Sequence, residues 1–174
     1  MSRPHFFRGV ATIVSKLFNI VQPERAYFGQ KDIQQTIVLK ALVRDLHFPI
    51  DLRVVPSVRE PDGLAMSSRN AYLSPDQRED ALILWRSLKA GMDFYHAKRD
   101  ASPVNILRIS EEQIKNNIDT AEGRVTLDYL EIVHPESLRV LTDGDKADGA
   151  ILVGAIFVHG DKRTIRLIDN VIIR

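Results

Sequence analysis

Cysteine is missing altogether from the 174 residues. Its absence excludes disulfide frameworks, thiolate-held zinc and thiol nucleophiles. Charge of one sign is missing too, since 24 Lys and Arg stand against 23 Asp and Glu, a net charge of +1. Near-neutrality removes bulk attraction to nucleic acid or to an anionic membrane surface, yet leaves room for a local basic site. Nowhere do 18 apolar residues follow one another, so no bilayer-spanning helix is expected. The opening residues Met-Ser-Arg-Pro-His-Phe-Phe-Arg hold no apolar run of signal-peptide length. Neither a Gly-x-x-x-x-Gly-Lys-Ser/Thr loop nor a Gly-x-Gly-x-x-Gly fingerprint is present. The five histidines (His5, His47, His96, His134, His159) are scattered, without metal-ligand spacing. What remains is a 44% hydrophobic chain long enough to bury a core as one domain or two small ones. The expectation is a soluble, cytoplasmic protein with no resident metal, nucleic acid or membrane partner.

The apolar residues that are present fall into clear periods. Val10, Ile13, Val14, Leu17, Phe18 and Val21 share one helical face, and Pro23 stops that helix. Arg25-Ala-Tyr-Phe-Gly29 reads as a short strand. Ile33, Ile37, Ala41, Leu42 and Leu46 give a second helix, and Ile50-Asp-Leu-Arg-Val-Val55 a second strand. Helix, strand, helix, strand predicts a parallel pair joined by a crossover helix, in a sheet covered on both faces. Two strands are few for such a sheet.

From Val55 to Asn70 turn residues take over. Ser74-Pro-Asp-Gln77 then supplies an N-cap, a first-turn proline and a capping-box glutamine for a helix to about Ala97. That helix should bury Ala81, Leu84, Trp85 and Leu88. Another begins at Pro103. Val125–Val133 alternates as a strand, and Ala150–Val158 and Thr164–Ile173 read as an antiparallel hairpin about Gly160-Asp161. A boundary near Asn70 separates the two patterns.

Two constellations could carry chemistry. Phe28-Gly-Gln-Lys-Asp-Ile-Gln-Gln35 places a strand end against a helix start, where open α/β sheets bind ligands. Lys31 sits at the positive end of that helix, where an anion such as a polyphosphate would stabilise it. Asp32 has two readings, a helix cap or a holder of a ribose hydroxyl. Met66-Ser-Ser-Arg-Asn70 combines two hydroxyls with a guanidinium fork, suited to phosphate oxygens, although a polar linker would look similar. Arg59-Glu-Pro-Asp-Gly63 reads as the turn that aims this loop. Arg3, Arg8 and Lys16 form a loose basic group, and Trp85 reads as core.

Three blocks, Arg8 to Pro23, Phe28 to Gln35 and Arg59 to Leu73, resemble the pantothenate synthetase (pantoate–β-alanine ligase) family. The resemblance implies an α/β protein: part of a Rossmann-like nucleotidylyl-transferase domain over residues 1–70, then a small α+β C-terminal lid domain with antiparallel strands over residues 71–174. It implies condensation of pantoate with β-alanine at the expense of Mg-ATP, through a pantoyl adenylate. By motif position, Gly29, Gln30, Lys31 and Asp32 resemble ATP-binding residues, with Lys31 on the transferring phosphate and Gly29 and Asp32 at the ribose. Gln35 resembles a pantoate ligand, while Val58 and Met66 look like adenine-side backbone contacts. Ser67, Ser68 and Arg69 resemble the phosphate-binding loop that acts in catalysis with Lys31.

Gln30 replaces a glutamate common in the family, and Phe6 stands where many members have histidine. The family's His-x-Gly-His motif and first strands precede the region matched by this chain. It is therefore expected to be a C-terminal portion, of low or no activity alone, forming a homodimer or pairing with the missing N-terminal half. An alternative is a non-catalytic subunit that pairs with an intact synthetase.

Overall fold

The computed structural model describes residues 4–161 and 163–174, so Arg3 of the basic group lies outside the described residues. The chain divides into two compact units, Met1–Ser57 and Val58–Arg174.

In the first unit, helix α1 (Pro4–Val21) leads to strand β1 (Arg25–Gly29). A single 3-10 turn (Gln30–Asp32) passes into helix α2 (Ile33–Asp45), and strand β2 (Asp51–Val55) closes the unit. β1 and β2 are parallel, in register from Arg25 opposite Asp51 to Gly29 opposite Val55. This is the expected strand–helix–strand arrangement. α2 is fixed by Ile33, Thr36, Ile37 and Leu39, all buried, and Phe18 of α1 meets Phe48 edge to face with centroids 5.6 Å apart.

Two expectations need correction here. The α1 stripe is not buried as a stripe: Phe18 is covered, while Ile13, Leu17 and Val21 are exposed. Nor is the parallel sheet covered on both faces, because exposed and half-buried residues alternate along both strands. The physical reason is supply. Within this unit a two-stranded sheet and two helices offer too few partners for every apolar face.

The second unit is a two-layer α/β sandwich. Helices α3 (Pro75–Ala97) and α4 (Pro103–Thr120) pack against a sheet ordered β3 (Val125–Val133), β4 (Ile151–Val158), β5 (Ile165–Ile172), antiparallel throughout. β4 is central and buried at every position except the half-buried Phe157. Leu152, Ile156 and Val158 join the core that the strand shares with α3 and α4, and neighbouring strands occupy both its edges. The capping box forms as the sequence predicts, with Gln77 N–H donating to Ser74 Oγ at 3.2 Å and Ser74 N–H to Gln77 Oε1 at 3.1 Å. Such a cap is worth about 1 kcal/mol. Ala81, Leu84 and Leu88 of α3 are buried, whereas Trp85 is only half-buried. At Gly91 the two helices come so close that an added Cβ would lie 2.2 Å from Ser110 Oγ.

Candidate functional site

The expected site residues fall into two groups, one on each unit. At the carboxyl end of β1, the backbone of Gly29 is extended (φ −73°), and an added Cβ would meet nothing within 4 Å. Neither backbone conformation nor local crowding therefore demands glycine there. Gln30, Lys31 and Asp32 form the 3-10 turn, and Gln35 follows on the first full turn of α2. Lys31 and Gln35 are half-buried and Asp32 is exposed. Asp32 holds the N-cap position of α2, but its side chain makes no capping hydrogen bond. The structural half of its two readings thus receives no support. Because β1 and β2 are parallel and in register, the chain leaves β2 at the same sheet end as this turn.

The second group lies in a short hairpin. Arg59 and Ala65 pair in an antiparallel bridge, and Met66 N–H donates to Val58 O at 2.9 Å. Val58 and Met66 are both exposed. Beyond them Ser67 starts a 3-10 turn (Ser68–Tyr72) and accepts from Arg69 N–H at 3.2 Å. Ser68 and Arg69 are exposed at this tip. Ser67, Ser68 and Arg69 thus follow one another at this tip, with Ser67 Oγ accepting from the Arg69 backbone.

What sequence reasoning missed is how firmly this tip is held. Arg59 is not simply part of a turn. Its guanidinium stacks on the Trp85 ring, 3.6 Å from the centroid, and forks onto Asp169 of β5 at 2.6 and 3.0 Å. It also donates to Gly63 O at 3.0 Å. Gly63 has φ +97°, and a Cβ there would lie 2.1 Å from Trp85 Nε1. On the hairpin's other flank, Arg78 of α3 donates to Glu60 Oε2 and Asp62 Oδ2, both at 2.7 Å. Asn70 reaches back to Glu60 Oε1 at 3.0 Å and Ala65 O at 3.2 Å.

The electrostatics follow the geometry. Arg78 and Asn70 hold the Glu60 carboxyl below its ordinary value. The Leu64 backbone N–H, followed by Arg78, does the same for Asp62. One signal of this network was legible, because four charged or glycine positions crowd into Arg59–Gly63. Their partners, Arg78, Trp85 and Asp169, are distant in sequence and carry no local pattern. Beside the end of the loop turn lies a cavity of about 550 Å³, lined by Tyr72, Gln77, Arg124, His159, Asp161 and Arg163 among others. Among the described residues no group of three or more His, Asp or Glu could hold a metal ion. Among them, too, no helix is long and apolar enough to cross a membrane.

Comparison with known proteins decides the family. The family model described as pantoate-beta-alanine ligase matches residues 1–172. This chain belongs to the pantoate–β-alanine ligase family. It is 49% identical over 173 residues to the pantothenate synthetase of Moorella thermoacetica, covering 99% of this chain and 56% of the relative. The crystal structure of pantothenate synthetase from Thermus thermophilus superposes with a TM-score of 0.83 at 45% identity, over 99% of this chain and 58% of that one. A more distant ligase, from Francisella tularensis, was crystallised with β-γ ATP and β-alanine; it matches at 27% identity with a TM-score of 0.65, over 98% of this chain and 52% of that one. The chain thus spans a little over half the length of each of these three relatives.

Proposed function

We propose that this chain supplies part of a site that condenses pantoate with β-alanine to give pantothenate. The family match over residues 1–172 carries this reading, and the chemistry of the two residue groups is consistent with it. In the proposed reaction the pantoate carboxylate attacks the α-phosphorus of ATP, and the bond to the bridging oxygen breaks. Pyrophosphate leaves with that electron pair, and pantoyl adenylate forms. The β-alanine amine then attacks the acyl carbon, loses a proton, and AMP departs with the pair from the acyl–oxygen bond.

Both steps ask mainly for positioning and for neutralisation of developing negative charge. In this reading Lys31 places an ammonium beside the transferring phosphate. Ser67, Ser68 and Arg69 donate to the remaining phosphate oxygens, with Arg69 offering a two-pronged fork. The uncrowded backbone at Gly29 lets a nucleotide approach the strand end, and the Asp32 carboxylate, not used as a cap, accepts from ribose hydroxyls. Gln30 lies in the same ATP-binding turn, Gln35 binds pantoate, and Val58 and Met66 border the adenine. The described residues build no cage for Mg2+; the ion would arrive as a companion of the nucleotide, and no protein step depends on it. The partial Rossmann-like assignment of residues 1–70 and the lid assignment of residues 71–174 belong to the same reading.

The test is AMP release from ATP, pantoate and β-alanine. This chain alone should turn over far more slowly than a full-length relative, and Lys31→Ala should abolish what remains. Turnover that survives Lys31→Ala would overturn the assignment.

A second reading has its own observation. Phe6, Ile13, Ile20 and Val21 leave an apolar face exposed on α1, which favours pairing with another polypeptide, including an intact synthetase or the portion that longer relatives possess. Gel filtration with and without such a partner tests it, and the absence of co-elution would remove it.

A further inference from the structure

We infer that Arg59 is a positioning residue: by clamping onto Trp85 and Asp169 it fastens the Ser67–Arg69 tip to the core of the second unit. The tip's donors are therefore carried as part of that unit instead of swinging on a free linker. The inference rests on the phosphate-binding reading of the tip, and its structural half stands independently of it.

The argument runs from the core outward. Asp169 is buried on β5, where an unpaired carboxylate would be costly, and both its oxygens accept from the Arg59 fork. Trp85 supplies the other half of the clamp, its ring face taking the guanidinium at 3.6 Å. Gly63 lies against the indole edge, so the turn that follows Arg59 is pressed onto the same side chain. From there the constraint passes along the backbone. The Arg59–Ala65 bridge, Glu60 N–H to Leu64 O at 2.9 Å and Met66 N–H to Val58 O at 2.9 Å tie the two hairpin arms together. Ser67 follows Met66 directly. Leu64 and Ala65 are buried and help anchor the hairpin, and Arg78 holds Glu60 and Asp62 on its other flank. The planar fork and the stacked ring add an orientational restraint at the hairpin's base, and that orientation bears on where Ser67, Ser68 and Arg69 point.

A lysine cannot reproduce this geometry, because its single ammonium neither forks nor stacks as a plane. That distinction gives the experiment its resolution. Amide hydrogen exchange is measured on the full chain for wild type, Arg59→Lys, Arg59→Ala and Asp169→Asn, with emission from Trp85, the sole tryptophan, recorded in parallel. Exchange at Gly63, Met66 and Asn70 should rise at least about tenfold in Arg59→Ala. A smaller rise is expected in Arg59→Lys, with β4 amides affected less than the tip in both and Trp85 emission shifted. Asp169→Asn keeps the shape with a weaker fork and should lie between them; it decides the matter if Arg59→Ala fails to fold. Unchanged exchange at the tip, or acceleration spread equally over β4, would overturn the positioning role.

ATP binding is then titrated by calorimetry. If wild type binds and Arg59→Ala, still folded at the titration temperature, binds at least about tenfold more weakly, the clamp serves the phosphate site. Equal affinity in the two would overturn that service. If wild type binds no ATP, the proposed function of this chain fails, while the exchange data still decide the role of Arg59 in holding the tip.

Discussion

The two units make opposite use of similar raw material. In the second, the helices and the sheet bury a common apolar core within the same stretch of chain. α3 lies over β4 and β5, α4 lies over β3, and Leu88, Ile106, Leu152 and Ile156 are wholly buried. In the first, α1 shows Ile20 at 79% exposure and Val21 at 65%, and the β1–β2 pair keeps one face open. A parallel pair depends on being enclosed, whereas a three-stranded antiparallel sheet backed by two helices encloses itself. The lesson is that hydrophobic periodicity says which face of an element wants burial, and only the remaining elements say whether burial happens.

The strongest way to break this comparison is a cavity in the self-sufficient unit. Leu152 lies fully buried on central β4, so Leu152→Ala should cost about 3 kcal/mol in denaturant unfolding. A loss below about 1 kcal/mol would mean that the second unit's core is far looser than its burial implies. A smaller effect is expected where the hairpin meets that core. Gly63→Ala forces a non-glycine residue into φ +97° and drives its Cβ into Trp85. It should cost about 2 kcal/mol and shift the emission of Trp85. Wild-type stability in this variant would contradict the close approach of the turn to the indole.

Much of this architecture was legible from sequence because local chemistry specified it. Ser74, Pro75 and Gln77 announce the start of α3, Pro23 ends α1 within two residues, and the alternating or apolar runs give all five strands. The candidate site was legible only as two lists of residue types. Lys31 at a strand end and Ser67-Ser-Arg69 in a turn have recognisable chemistry. The restraint on the second list was not visible, because Arg59 reaches Asp169 across 110 positions and Trp85 looks like any core aromatic. The exposure of the α1 stripe was not legible for a related reason. A period reports amphipathicity, and Ile13, Leu17 and Val21 remain amphipathic without being covered.

Acid sharpens the comparison more gently, by loosening the hairpin while leaving the two-layer core intact. The carboxyls of Glu60 and Asp62 are held below their ordinary values in the folded chain. Groups depressed in this way contribute stability that is complete above the unfolded value, about 4, and is lost as pH falls through the folded value. The Asn70 side-chain amide, which donates to Glu60 Oε1 at 3.0 Å, provides the probe. Its resonances should stay constant from neutral pH down to the ordinary carboxylate range and titrate only below it. A midpoint at or above the ordinary glutamate value would mean that Arg78 does not hold Glu60 in solution.

The smallest expected effect tests the first unit. Ile20, on α1, is 79% exposed, so replacing it removes little apolar surface from any interior. Ile20→Ser should therefore change the unfolding free energy by no more than about 0.5 kcal/mol, the range of ordinary surface substitutions. Most of that change would come from the modestly different helix propensity of the two residues. The contrast with Leu152→Ala is then large although both changes remove an aliphatic side chain from a regular element. If Ile20→Ser proves as damaging as a core truncation, α1 is covered in solution by something other than its own unit. The dependence of that loss on protein concentration would separate a second copy of the chain from a rearrangement within it, since only association is subject to mass action.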